Sequence, residues 1–231
     1  MPRRARFLLS GVPHHVTQRG NRRERVFFEH EDRSTYLQLL RDQSARHEVD
    51  VVAYCLMSNH VHLVLIPTDS DKLHCVMRAI HGQYAQVVNK RRSQSGHVWQ
   101  ARYFSSPLDA NYFFNAVRYV ELNPVRAGLV ARAENYQWSS AAVHCGLRDD
   151  PVVDAALRSS ILSGIADWSR WLAAGIADES LETLRSRGSQ NLPCGSTEFI
   201  TELERATGRL LRYRRAGREP QKKEKKGDSH L

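Results

Sequence analysis

The stretch Val49-Asp50-Val51-Val52-Ala53-Tyr54-Cys55-Leu56-Met57-Ser58-Asn59-His60-Val61-His62-Leu63-Val64-Leu65-Ile66 reads as two strands joined by a tight turn. Its first half, Val49 to Met57, is apolar and β-branched enough for a buried strand. Ser58-Asn59 supplies turn residues, and His60 to Ile66 returns as a second strand. Side chains alternate faces along a strand, so His60 and His62 project from one side while Val61 and Leu63 project from the other. Two imidazoles placed this way can meet one metal ion. Taken alone, the pattern describes equally well two polar residues on a half-buried strand.

Outward from this hairpin, Val12 to Gln18 forms a strand, and Arg19-Gly20-Asn21-Arg22-Arg23 reads as a basic turn. Glu29, Glu31 and Asp32 open a helix whose apolar side carries Tyr36, Leu37, Leu39 and Leu40, through about His47. After the hairpin, Pro67 through Asp71 supplies stop and cap signals for a helix over residues 72–92 with Val76, Ile80, Tyr84 and Val87 on one side. Val98 to Ser106 reads as a fourth strand ending at Pro107. Asp109 then caps a helix carrying Tyr112, Phe113, Ala116, Val117 and Val120, which should end or kink at Asn123-Pro124. The order strand, helix, strand, strand, helix, strand predicts a ferredoxin-like α/β (α+β) fold, an antiparallel sheet with helices packed on it. This main domain is expected over residues 1–150. A mainly helical extension with Trp168, Trp171 and a segment near Glu198 to Thr207 follows over 151–211, and a basic, disordered tail over 212–231.

Lys and Arg number 34 against 25 Asp and Glu, giving net charge +9 and a pI near 9.7, which favours a polyanionic partner through counterion release. Nucleic acid is the first candidate, although basic runs also serve as solvated faces. The charge is concentrated early, at Arg3, Arg4, Arg6, Arg19, Arg22, Arg23 and Arg25, and again from Arg205 to Arg218. The 4 cysteines lie far apart, with no short-spaced Cys/His cluster for a zinc knuckle or disulfide frame. With neither a signal-peptide pattern nor a membrane-length apolar run, a soluble, cytoplasmic, nucleoid-associated protein with no membrane partner is expected.

Residues four apart on a helix share a face, so Tyr119 and Asn123 should lie side by side. None of the other seven of the 8 tyrosines has Asn or Gln four residues on. Pro124 pushes the preceding residue away from helical geometry, which predicts a frayed Asn123.

Four segments together carry a family pattern: Val12-Pro13-His14-His15-Val16-Thr17-Gln18-Arg19-Gly20-Asn21, Tyr54 through Leu63, Tyr119-Val120-Glu121-Leu122-Asn123-Pro124-Val125-Arg126-Ala127-Gly128-Leu129-Val130, and Trp138-Ser139-Ser140. In these, over roughly residues 1–150, the chain resembles the REP-associated tyrosine transposases. Those are relatives of the IS200-like single-tyrosine transposases and, more distantly, of HUH relaxases and replication initiators. The resemblance implies a divalent ion, Mg²⁺ or Mn²⁺, held by His60, His62 and Asn123. It also implies that Tyr119 attacks a backbone phosphate of single-stranded, hairpin-forming REP-like DNA, leaving a 5′-phosphotyrosine link and a free 3′-hydroxyl that strand transfer later consumes. A bound metal would offset the poor nucleophilicity of a phenol whose free pKa is about 10.

For backbone contacts the Arg19 to Arg25 turn comes first, including Arg22 and Arg23, with Arg3 and Arg4 before it and Arg91, Arg92 and Arg102 extending the track. Trp99 could stack a base or sit in the core. His14, His15 and His81 are candidate general bases. Relatives include dimers that exchange the tyrosine helix and monomers; a monomer is favoured here, with a homodimer possible. Two other readings stand beside this one: a DNA-binding regulatory protein that cleaves nothing, and a zinc-type metal protein.

Overall fold

The hairpin folds as β2 (Val49–Leu56) and β3 (His60–Pro67), and its turn is closed by the Met57 N–H donating to the His60 carbonyl at 2.9 Å. β3 pairs on its other side with β1 (His14–Arg19), and β1 pairs in turn with β4 (Phe104–Pro107), giving an all-antiparallel sheet in the order β2-β3-β1-β4. The two histidines of β3 therefore sit on a central strand, His62 opposite Thr17 and His60 opposite Arg19. The computed structural model describes residues 8–153, 155–162 and 164–212; Arg3, Arg4 and residues 213–231 of the expected tail lie outside them.

The two faces of the sheet are covered differently. On one, α1 (His30–Arg46) and α2 (Ser70–Arg91) bury Tyr36, Leu40, Val76, Ile80 and Tyr84 against Val16, Tyr54, Val61, Leu63 and Leu65. Glu29 and Asp32 form a reciprocal capping box at the start of α1, while the Asp69 side chain caps α2, so acidic residues satisfy backbone donors that a helix leaves open. On the other face, α3 (Ala110–Glu121), capped by Asp109, packs Ala116, Val117 and Val120 against Val52, Cys55 and Val64. The alternation that buries Val64 beneath α3 turns His60 and His62 to that same side. This is the mixed α/β architecture expected from the order of elements.

The fourth strand is shorter than the sequence suggests. Residues 98–103 are stapled to the basic turn instead of to the ladder: Asn21 N–H donates to Val98 O at 2.8 Å and Gln100 N–H to Arg19 O at 2.9 Å. Trp99 turns into the core, its indole N–H donating to His81 O at 3.1 Å among Tyr36 and Tyr84. The basic turn docks on the hairpin turn through Gly20 N–H to Asn59 O at 2.8 Å and Val26 N–H to Ser58 O at 3.0 Å. Only glycine permits that approach, since a Cβ at position 20 would overlap Glu24 O and Val26.

After α3 come α4 (Asn123–Arg126), α5 (Ala141–His144), α6 (Ala155–Leu162), α7 (Trp168–Ala173), α8 (Asp178–Gly188) and α9 (Thr197–Thr207). Trp168 and Leu172 of α7 and Leu184 of α8 share one buried cluster with α3. The outer side of α3 is thus covered by the C-terminal helices, as its inner side is by the sheet.

Two adjacent histidines of β1 are buried. His14 shares hydrogen bonds with Ser105 Oγ at 3.0 Å and Leu9 N–H at 3.2 Å, and burial lowers both His14 and His15 from 6.5 to about 4. Between those values the unfolded chain binds more protons than the folded one, so stability falls as pH drops from 6.5 toward 4. At about pH 5 each such group should remove about 2 kcal/mol relative to neutral pH. Urea midpoints at the two pH values should show the loss, and His14→Asn should reduce it; an identical pH dependence in the variant would place the loss elsewhere.

Candidate active site

Tyr119 lies in the last turn of α3, on the side facing β1 and β3. Its ring stands edge-on to His62 and to His15, with centroids 5.4 Å away in both cases. The rings of His60 and His62 are 4.9 Å apart. All of these residues belong to one chain, so the tyrosine meets its own histidines.

The ring nitrogens are assigned roles by their neighbours. Asn59 Oδ1 lies 2.6 Å from His60 Nδ1 and can only accept, so that nitrogen carries the proton and Nε2 keeps its lone pair. His62 Nδ1 and His15 Nε2 are 3.1 Å apart, and in the tautomer with the proton on His62 Nδ1 the His62 Nε2 keeps its lone pair. A second partner that fixes the tautomer of a ligating imidazole is the usual arrangement around metal-binding histidines. Burial, then Arg19, lowers His60 to about 4; burial, then His60, His15, Arg126 and Arg19, holds His62 well below its ordinary value. Both imidazoles are neutral at neutral pH, the form that binds metal.

Asn123 is 7% exposed and does not fray. Leu122 keeps α-helical dihedrals, and α4 restarts immediately with Pro124 in its first turn, where a missing N–H costs nothing. Pro124 cannot donate back to Val120 O, and the Asn123 side chain substitutes: Nδ2 donates to Tyr119 O at 2.9 Å and to Val120 O at 3.3 Å. The amide nitrogen is thereby committed to the helix, and Oδ1 faces the cleft, where it accepts from Arg126 Nη2 at 3.4 Å and keeps a second lone pair.

These side chains line a cleft of about 470 Å³ together with Arg19, Arg126 and Arg185, and among the described residues no Asp or Glu lines it. A larger cleft of about 850 Å³ beside α4, α7 and α8 shares Arg126 but contains neither the histidines nor the tyrosine, so the chemistry is assigned to the smaller one. Among the described residues no three His, Cys, Asp or Glu side chains converge as a metal cluster. The donors brought together here are two imidazoles and a carboxamide.

The expected residues are thus partly gathered. His60, His62, Tyr119, Asn123 and Arg19 share the cleft. Arg22, Arg23 and Arg25 are exposed on the adjoining turn, which Asn59 Nδ2 holds through Arg23 O at 2.8 Å. Arg102 is exposed just before β4. Arg91 pairs with Asp32 and Arg92 stacks over Phe28 at 3.7 Å, both at the end of the helix on the opposite face of the sheet. His14 and His81 lie in the core, which leaves His15 as the candidate base that reaches the cleft. Sequence reasoning did not single out Arg126 or Arg185. Arg126, three residues beyond Asn123, carried a usable helical-spacing signal; Arg185 carried none, because nothing local announces that α8 folds back over β1.

Residues 9–123 match the family described as Transposase IS200 like. The chain belongs to the IS200-like transposase family. This transposase also resembles, over 67% of its own length and 94% of the other chain, a solved REP-associated tyrosine transposase bound to a REP hairpin (TM-score 0.55, 18% identity). It aligns more loosely with a Deinococcus radiodurans R1 protein described as a candidate transposase (TM-score 0.38, 19% identity, 52% and 96% covered). No curated protein matches the chain. Family membership makes this a DNA-processing enzyme with DNA as its partner, of a kind that generally uses a divalent metal ion. No helix of the described residues is long and apolar enough to cross a membrane.

Proposed function

We propose that this transposase cuts and rejoins single-stranded, hairpin-forming DNA through a covalent 5′-phosphotyrosine link to Tyr119. The observation that carries the reading is the meeting of Tyr119 with His15, His62 and Asn123 in one basic cleft of one chain. The Tyr119 oxygen forms the new bond to phosphorus as the bond to the 3′ oxygen breaks; the proton lost by the phenol is balanced by the one the 3′-hydroxyl gains. Rejoining runs the same exchange backward with another 3′ end.

The donor set fits a divalent ion. His60 offers Nε2, His62 offers Nε2 in the tautomer that donates from Nδ1 to His15, and Asn123 offers the second lone pair of Oδ1 beside Arg126; these would hold Mg²⁺ or Mn²⁺. When bound, such an ion supplies charge neutralisation on the phosphoryl oxygens and orientation of the scissile bond. Mg²⁺ sites ordinarily include carboxylates, and among the described residues none lines this cleft, so the DNA phosphate would supply the anionic ligands. His15, neutral and hydrogen-bonded to His62, acts as a positioning residue for that imidazole. Arg19 and the exposed Arg22, Arg23 and Arg25 turn give the strand a basic approach to the site. Because the tyrosine faces its own histidines, a monomer is sufficient.

The test is to incubate the protein with Mn²⁺ and hairpin-bearing single-stranded DNA and separate the products under denaturing conditions. A DNA-shifted protein band whose modified peptide contains Tyr119 is expected. Absence of any adduct with Mn²⁺ and with Mg²⁺, despite DNA binding, would leave the non-cleaving regulatory reading standing.

A further inference from the structure

Three arginines line the cleft, and they arrive from separate parts of the fold. Arg19 ends β1, Arg126 belongs to α4, and Arg185 lies on α8, outside the segment that matches the family. Arg126 places its guanidinium carbon 4.3 Å above the Tyr119 ring centroid, and among the described residues no carboxylate pairs with it. Arg185 has no ion pair or side-chain hydrogen bond among the described residues. Arg187, on the same helix, is by contrast tied to Pro193 O at 3.0 Å.

The placement of Arg185 is a consequence of packing. Leu184, 1% exposed, anchors α8 in the cluster shared with α3. One turn on, Gly188 lies over β1, where a Cβ would come 3.8 Å from His15 Nδ1. These contacts hold the exposed Arg185 at the wall of the cleft that Arg126 also lines. Among the described residues the Arg185 guanidinium has no carboxylate partner, and planar guanidinium groups match phosphate oxygens in pairs of hydrogen bonds.

We propose that Arg126 and Arg185 clamp one backbone phosphate of single-stranded DNA, so that the C-terminal extension supplies part of the DNA-binding site. The proposal rests on the cleavage reading only for which phosphate is held. The clamp itself requires no metal and no cleavage.

The experiment uses the full chain with Tyr119→Phe, a fluorescently labelled single-stranded hairpin DNA as probe, and EDTA throughout, reading anisotropy over a range of salt. Arg185→Ala and Arg126→Ala should each weaken binding about tenfold and flatten the plot of log affinity against log salt, and the double variant should flatten it by about 0.7, the value for one single-strand phosphate contact. Arg185→Lys should retain most of the slope. Arg46→Ala, which removes an exposed arginine at the end of α1, controls for net charge. Affinity and slope in Arg185→Ala indistinguishable from Arg46→Ala would overturn the clamp, as would absence of DNA binding by the parent. If Arg185 matters for binding while the Tyr119-containing protein forms no adduct, the clamp stands and the cleavage reading falls.

Discussion

Tyr119→Phe is expected to lower covalent adduct formation at least about a thousandfold while changing DNA affinity less than about twofold, because it removes the oxygen proposed as nucleophile and little else. The ring keeps its edge-on contacts with His15 and His62 and its place beneath Arg126. The Tyr119 carbonyl still accepts from Asn123 Nδ2, so the candidate ligand Oδ1 stays where it was. Tyr36, Tyr54 and Tyr84 cannot substitute, since they are fully buried on the other face of the sheet. Denaturing gels quantify the adduct and anisotropy the binding. Parental levels of adduct in the variant would move the nucleophile to another residue; lost binding together with lost adduct would mean that the phenol positions DNA.

How far the sequence reaches is visible at this same site. Period-two alternation alone puts His60 and His62 on one side of a strand, and the structure keeps them there. The partner strand was not readable in that way. His15 joins His62, 47 positions away, because β1 lies beside β3 in a register that sets His62 opposite Thr17 and so makes His15 its diagonal neighbour, and register is a property of the sheet. Pro124 misled for a physical reason: the rule that disfavours a helical residue before proline concerns the backbone, whereas Asn123 answers the lost hydrogen bond with its side chain. The overlong fourth strand had a similar origin, since an apolar Val98-Trp99 pair satisfies a strand pattern and a core plug equally well. Arg185 marks the limit, a solvent-facing arginine on a surface helix until α8 is seen packed over β1.

Glu121→Ala is expected to cost about 3–5 kcal/mol of folding stability, the range for removing one partner from a buried charged network. Glu121 is fully buried two residues beyond Tyr119 and is not among the residues that line the cleft. Its Oε1 accepts from Ser140 Oγ and His144 Nδ1, each at 2.6 Å, and its Oε2 from the Trp168 indole N–H at 2.8 Å. One carboxylate thereby ties α3 to α5, to the loop before α5 and to α7. Alanine would leave all three donors facing an apolar void, with nothing able to collapse into it from a helix already packed on both sides. Glu121→Gln keeps the volume and should cost less: its carbonyl can accept from Trp168 while its amide donates to Ser140 Oγ and to the other tautomer of His144. Urea unfolding followed through Trp168 would rank the two variants, and a cost for Glu121→Ala below about 1 kcal/mol would rule out a structural anchor. Because the same network sets how α3 sits between the sheet and α7, adduct formation by the folded Glu121→Gln protein should track how well Tyr119 stays against His62, and its shortfall should appear in the cleavage rate more than in DNA affinity.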